Sequence, residues 1–294
     1  MEKISAFTTE NGIEAVKLTD IPKLNIFKTF DCGQCFRFDP VSEFGGKYEF
    51  GGVAFGKYVV FSQNCDTELT IYGSDVEEYE KIWRPFLALD VDYNKINGDI
   101  CSAVSSSDMK AAVEYGDGIR ILRQDGWECV CSFIISQNNN IPRIKKIVSS
   151  MSEKYGEKKS FSGKDYYSFP TPRRLFDAGE EEIFALKTGF RAKYIYDACR
   201  LILSGEVDLD YIRGENDFQK CLEYLCKIKG IGPKVASCAL LFGFEKTEAF
   251  PIDVWMKRAL AKYFPSGIDL NALGKNAGIA QQYLFYYEKY RAGT

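Results

Sequence analysis

The chain has 294 residues, ten cysteines and no histidine, with 46% hydrophobic and 27% charged residues. This length suits one large or two packed domains with a real core, and the composition is that of a globular rather than a disordered protein. Without an imidazole, Ser-His-Asp hydrolysis, Cys-His proteolysis and histidine-ligated zinc are excluded, so any acid, base or nucleophile must be Lys, Cys, Asp, Glu or Tyr.

No apolar run approaches the roughly 20 residues of a membrane span. Met1 to Leu18, which carries Glu2, Glu10 and Glu14, has no apolar signal region. A cytoplasmic monomer is expected, nucleoid-associated if the source is prokaryotic, with no membrane contact. Reduced, mostly buried thiols are the default for such a chain. One Cys-x-x-Cys, Cys32 and Cys35, stands without a second pair, so neither a metal nor a cofactor is expected. The net charge is −3, but residues 1–107 hold 10 basic and 17 acidic side chains, while residues 108–294 hold 28 and 24. A balance of −7 against +4 leaves room for a basic surface on the second part.

In chain order, residues 5 to 75 read as antiparallel strands. Tyr48 to Phe61 mixes β-branched and aromatic residues with glycine turns, and Phe36-Arg37-Phe38 alternates in the same way. Asp75 to Leu89 reads as an acidic helix, and the serines of 102–108 as an interdomain joint. From Asp117 the period becomes 3.6, with Ile119, Leu122, Gly126, Cys129, Val130, Phe133 and Ile134 on one face of a helix ending near Gln137. Pro142 suits an early position of the next helix, to about Lys154. Further helices fit 172–178, 191–203, 215–228, 233–243, 252–264 and 276–291. The second part therefore reads as all-helical, without internal repeats.

The most informative stretch is Ile228-Lys229-Gly230-Ile231-Gly232-Pro233-Lys234. Gly230 and Gly232 permit a tight turn and a close backbone approach, and Pro233 opens a helix. Amides exposed at that helix start would receive an anion such as a DNA phosphate, although an ordinary helix corner would look the same. Lys234 sits in the first turn, where the positive end of the dipole opposes its charge, an arrangement that suits a neutral, nucleophilic amine. Cys238 follows one turn later on the same face. Asp253, in Phe250-Pro251-Ile252-Asp253-Val254, is placed to cap a helix, which needs no further explanation.

Together these residues resemble the helix-hairpin-helix base-excision DNA glycosylases. The branch with a four-cysteine iron–sulfur loop is excluded because no cysteine follows Cys238. Lys234 argues against the monofunctional alkylbase branch. The similarity is greatest to the 8-oxoguanine DNA glycosylase family and runs along nearly the whole chain. It includes Gly33-Gln34-Cys35-Phe36-Arg37, the run from Phe133 through Asn138-Asn139-Asn140 to Arg143, Gly189-Phe190-Arg191-Ala192, and Gly278 to Phe285.

The resemblance implies an α+β protein, in which an N-terminal antiparallel sheet domain (1–107) packs on a larger helical domain (108–294), with the active site in the cleft between them. It implies excision of 8-oxoguanine from duplex DNA through a Lys234 Schiff base, followed by β-elimination, with Asp253 as the second catalytic group. A buried base must be flipped out before it can be attacked. Asn138, with Asn139 beside it, would fill the gap, and Phe190 would wedge next to it. Arg143 and Arg191 would face the orphaned cytosine, although arginines more often hold phosphates. Cys238 and Phe285 would sandwich the flipped base, Gln281 would read its Watson–Crick edge, and Phe133 would complete the pocket. The Gly33 carbonyl would accept from N7–H, which guanine lacks. Four residues depart from the family pattern. Phe190 replaces a tyrosine, Trp255 a phosphate-contacting histidine, and Cys32 and Cys35 flank the glycine where serine is familiar. A glycosylase for another damaged base, or a helix-hairpin-helix module that only binds DNA, are the alternatives.

Overall fold

The computed structural model describes residues 2–291. It forms two compact units that are discontinuous in sequence, unlike a linear division at 107/108. One comprises the chain up to Gly51, Val59–Arg123 and everything from Lys246 on; the other comprises Gly52–Tyr58 and Gln124–Glu245.

Strands β1 (Lys3–Thr8), β2 (Glu14–Thr19), β3 (Phe38–Pro40), β4 (Tyr48–Ala54), β5 (Lys57–Gln63) and β6 (Glu68–Tyr72) form a sheet of order β1-β2-β6-β5-β4-β3. The antiparallel β2–β6 pairing sets Val16 opposite Ile71 and Leu18 opposite Leu69, so one face of each strand is buried. Under the sheet, Phe30 stacks on Phe38 and Phe61, and Trp83 meets Phe61 edge-on at 5.7 Å. Each such ring taken out of water stabilises the fold by roughly 1.5–3 kcal/mol. Trp83 lies in the acidic helical run of residues 76–86, which Asp75 caps by accepting from the Glu78 amide. Cys32 and Cys35 are buried, and burial pushes the Cys32 thiol up to about 12, which makes it a packing group rather than a redox nucleophile.

A turn before β4 depends on one carboxylate. Glu49 accepts from the amides of Glu43, Phe44 and Gly46 at 2.6–3.2 Å and from the Ser62 hydroxyl. Burial opposes its ionisation, but these donors prevail and hold its pKa below the ordinary value. A depressed pKa means that the stabilisation is complete above the ordinary glutamate range and lost as the pH falls through the folded value. Glu49→Gln should therefore lower the melting temperature at pH 7, by the equivalent of about 1–3 kcal/mol, and this deficit should shrink in thermal melts below about pH 4.

Two expectations for the second part need correction. Residues 119–124 form neither helix nor strand, and the helix is only Gly126–Ser136, capped by Asp125. The amides of Arg120, Ile121, Leu122 and Arg123 go to Thr29 Oγ1, Tyr93 Oη, Gln34 Oε1 and the Phe86 carbonyl. With these four donors taken by distant elements, residues 120–123 need no helical ladder. The all-helical reading also fails at a hairpin, β7 (Lys158–Phe161) and β8 (Lys164–Tyr167), turned by Ser162 and Gly163 in left-handed conformations. The helices Ile141–Tyr155, Pro172–Ala178, Ala192–Ser204, Phe218–Leu225 and Pro233–Gly243 stand close to where the pattern put them. Among the described residues, no helix is long and apolar enough to cross a membrane.

Candidate active site

The hairpin forms as its glycines suggested, with one amendment. Gly230 has φ +82, and a Cβ there would lie 2.3 Å from the Tyr194 ring, so both the left-handed turn and the close approach require glycine. Gly232 instead is extended (φ −96), with open space around it, and serves as the cap residue of helix Pro233–Gly243 without a side-chain bond. The Ile231 side chain is buried, and the Lys229 amide is pinned by Asp197 at 3.0 Å. Gly232 and Pro233 are exposed, so the helix start presents its amides outward.

Lys234 is the second residue of that helix, half-buried and with no carboxylate partner among the described residues. Cys238, one turn on, is buried. The same helix carries Phe242, whose ring stacks on Phe133 at 5.5 Å, so Phe133 packs where two helices of this unit meet.

The asparagine run connects helices Gly126–Ser136 and Ile141–Tyr155. Asn140 caps the second by accepting from the Arg143 amide, and the Asn139 side chain donates to the Ile135 carbonyl and accepts from the Asn140 amide. These two amides therefore build the loop. Asn138, exposed at φ +46, has no side-chain partner among the described residues. Arg191, which the resemblance sets against the orphaned cytosine, is buried. Its guanidinium donates to the carbonyls of Gln137, Asn138 and Thr188, and also covers the Phe190 ring at 4.4 Å. Arg143 donates to the Lys187 carbonyl. Burial, together with the charge of Arg143, lowers the Arg191 pKa. Two neighbouring cations without a carboxylate between them make this loop pair electropositive. Phe190 itself is 48% exposed.

The other unit holds the remaining candidates. Asp253 caps helix Val254–Tyr263, accepting from the Met256 amide at 2.8 Å through Oδ1, while Oδ2 has no partner among the described residues. Two residues on, the Arg258 guanidinium lies 5.1 Å from the Trp255 ring centre. On the terminal helix, Ala277–Arg291, Gln281 is buried and its Oε1 accepts no hydrogen bond among the described residues. A buried acceptor left unsatisfied costs about 1–3 kcal/mol, which is the expected state of a group that awaits a ligand. Phe285, one turn later, is half-buried. Gly33 has φ +81 in the bend after helix Ile26–Asp31.

Two family models match end to end. Residues 17–130 match the N-terminal domain of 8-oxoguanine DNA glycosylase, and residues 131–269 match HhH-GPD superfamily base excision DNA repair proteins. The chain belongs to the HhH-GPD superfamily, with the 8-oxoguanine glycosylase N-terminal domain.

A probable N-glycosylase/DNA lyase of Methanothermobacter thermautotrophicus is 30% identical to it over 65% of this chain and 70% of its own. The apo 8-oxoguanine glycosylase/lyase of Clostridium acetobutylicum superposes with TM-score 0.87 at 37% identity, covering 97% of this chain and 98% of that one. The same enzyme in complex with duplex DNA containing cytosine opposite 8-oxoG gives 0.87 at 36%, covering 99% and 98%.

Sequence reasoning missed several residues that hold the candidate side chains in place within each unit. Tyr194 packs the hairpin, Thr188 anchors the Phe190 turn by donating to the Ile183 carbonyl, and Gln34 and Gln282 clamp the segment around Gly33. For the two glutamines there was a signal, namely an amide side chain inside an otherwise apolar run.

Proposed function

We propose that this chain is a bifunctional 8-oxoguanine DNA glycosylase and AP lyase, acting on duplex DNA as a cytoplasmic monomer. The observation that carries the reading is Lys234, a lysine without an ion pair in the first turn of the helix that follows an exposed glycine hairpin. In the reaction its Nζ forms a bond to C1′ of the flipped nucleotide as the glycosidic bond breaks. The sugar opens to an imine, and loss of a C2′ proton expels the 3′ phosphate. Asp253 stabilises the positive charge that develops on the sugar. A module that only binds DNA needs neither side chain.

In this reading the exposed amides at Gly232 hold a phosphate, while Gly230 allows the turn that presents them. Cys238 and Phe285 stack on the flipped base beside Phe133, and Gln281 uses its vacant Oε1 on the Watson–Crick edge. The Gly33 carbonyl accepts from N7–H, and so separates the lesion from guanine, which has no hydrogen there. Asn138 and Phe190 occupy the emptied stack, and Asn139 shapes the loop that delivers them. Arg143 and Arg191 exchange loop carbonyls for O2 and N3 of the orphaned cytosine.

Single-turnover excision from duplexes with 8-oxoguanine opposite cytosine and opposite adenine tests the reading. Two guanidinium contacts, each worth roughly 1–3 kcal/mol, should favour cytosine tenfold or more. Arg191→Ala should reduce this ratio. It should also lower the melting temperature, since three loop carbonyls lose their donor. No excision from either duplex would overturn the function, and equal wild-type rates would overturn the role of the arginines.

A further inference from the structure

We infer that Gln282 is the positioning residue for the carbonyl that distinguishes 8-oxoguanine from guanine. The inference rests on the proposed function and extends it to a residue outside the pocket.

The difficulty lies in the chemistry of the reader. A peptide group offers an acceptor on one side and a donor on the other. If the peptide between Gly33 and Gln34 turned over, it would present an N–H in place of the C=O. That N–H would suit the bare N7 of guanine and reject the lesion, so a flip would reverse the selectivity. Such a flip changes ψ of Gly33 and φ of Gln34, and glycine, without a Cβ, resists it least. Gly33 is held at φ +81, so something other than its own sterics must fix it.

Two buried amides do so, one on each side. Gln34 is fully buried. Its Nε2 donates to the carbonyls of Thr29 (2.9 Å) and Arg120 (2.8 Å), and its Oε1 accepts from the Leu122 amide (2.8 Å). That anchors the residue after Gly33. On the other side, Gln282 Nε2 donates to the Cys32 carbonyl at 2.8 Å in a buried bond, and Tyr290 Oη donates to the Asp31 carbonyl at 2.8 Å. The Cys32 carbonyl belongs to the peptide before Gly33, so the Gln282 bond fixes φ of Gly33 at +81, while Gln34 anchors the far end of the peptide that would turn over. Gln282 is 3% exposed and adjacent to Gln281, whose Oε1 is vacant. One turn of the terminal helix thus aligns a side-chain reader of the base with the backbone reader of N7.

Binding to three duplexes of one sequence separates this role from a general structural one. They carry 8-oxoguanine, guanine or a tetrahydrofuran abasic analogue opposite cytosine, and affinities are measured by fluorescence anisotropy. The Lys234→Gln protein is compared with the same protein carrying Gln282→Leu. Gln282→Met is a second variant, closer in shape to glutamine. The inference expects about tenfold weaker binding to the 8-oxoguanine duplex, the worth of one buried hydrogen bond, with the guanine and tetrahydrofuran affinities unchanged within about twofold. Equal losses on all three duplexes, or an unchanged preference for the lesion in both variants, would overturn the inference and leave the function intact. If the Lys234→Gln parent itself does not prefer 8-oxoguanine to guanine, both fall.

Discussion

Replacing Lys234 with glutamine is expected to abolish base release and strand cleavage while leaving lesion binding in place. An amide nitrogen has no available lone pair, so neither the bond to C1′ nor the imine can form. Excision should fall by roughly a thousandfold or more, as it does when a covalent nucleophile is removed. The fold should not suffer. Lys234 is half-buried and without an ion pair, and it occupies the end of a helix where a positive charge is disfavoured. Removing that charge should leave the melting temperature unchanged or raise it, by the equivalent of at most about 1 kcal/mol. Borohydride trapping on an 8-oxoguanine duplex gives the most direct reading. The wild type should become covalently joined to DNA and the variant should not. Trapping of Lys234→Gln at the wild-type level would remove the nucleophile assignment.

The second large effect is expected at Asp253, where one carboxylate has two roles. Oδ1 caps a helix, and Oδ2 is left without a partner among the described residues. Asparagine caps a helix about as well as aspartate does. Asp253→Asn should therefore keep the melting temperature yet lose about a hundred- to thousandfold in single-turnover rate, the usual cost of removing one electrostatic stabiliser of a developing charge. Asp253→Ala should lose the rate and also about 1 kcal/mol of stability. The two variants together separate the roles. Normal excision by Asp253→Asn would reduce Asp253 to a helix cap.

The parts of the molecule that were legible from residue order are those governed by near neighbours. Helix Pro233–Gly243 begins at a proline after a glycine, helix Pro172–Ala178 begins after Thr171, and Asn140 and Asp253 accept from amides three residues on. Alternating apolar residues in β2 and β6 likewise show their buried face. Such features need only local hydrogen bonds and periodic burial, so the strands, the hairpin, Lys234 and Asp253 could all be located in advance. The hairpin at 158–167 escaped notice because its strands are only four residues each, too short for alternation to stand out in a lysine-rich run.

The remaining features rest on contacts between residues far apart in the chain. The apolar spacing of residues 119–124 mimics a helix, yet the amides of residues 120–122 bond to groups up to 91 residues away, and the segment is not helical. Arg191 reads as a base- or phosphate-facing arginine, and only the fold shows that three carbonyls of its own unit receive its guanidinium. Gln282 reads as one more polar residue on a helix, and its role appears only because Cys32 lies 250 positions earlier and beside it in space. A buried amide or guanidinium must find partners wherever the fold supplies them, and no local pattern records which carbonyl that will be.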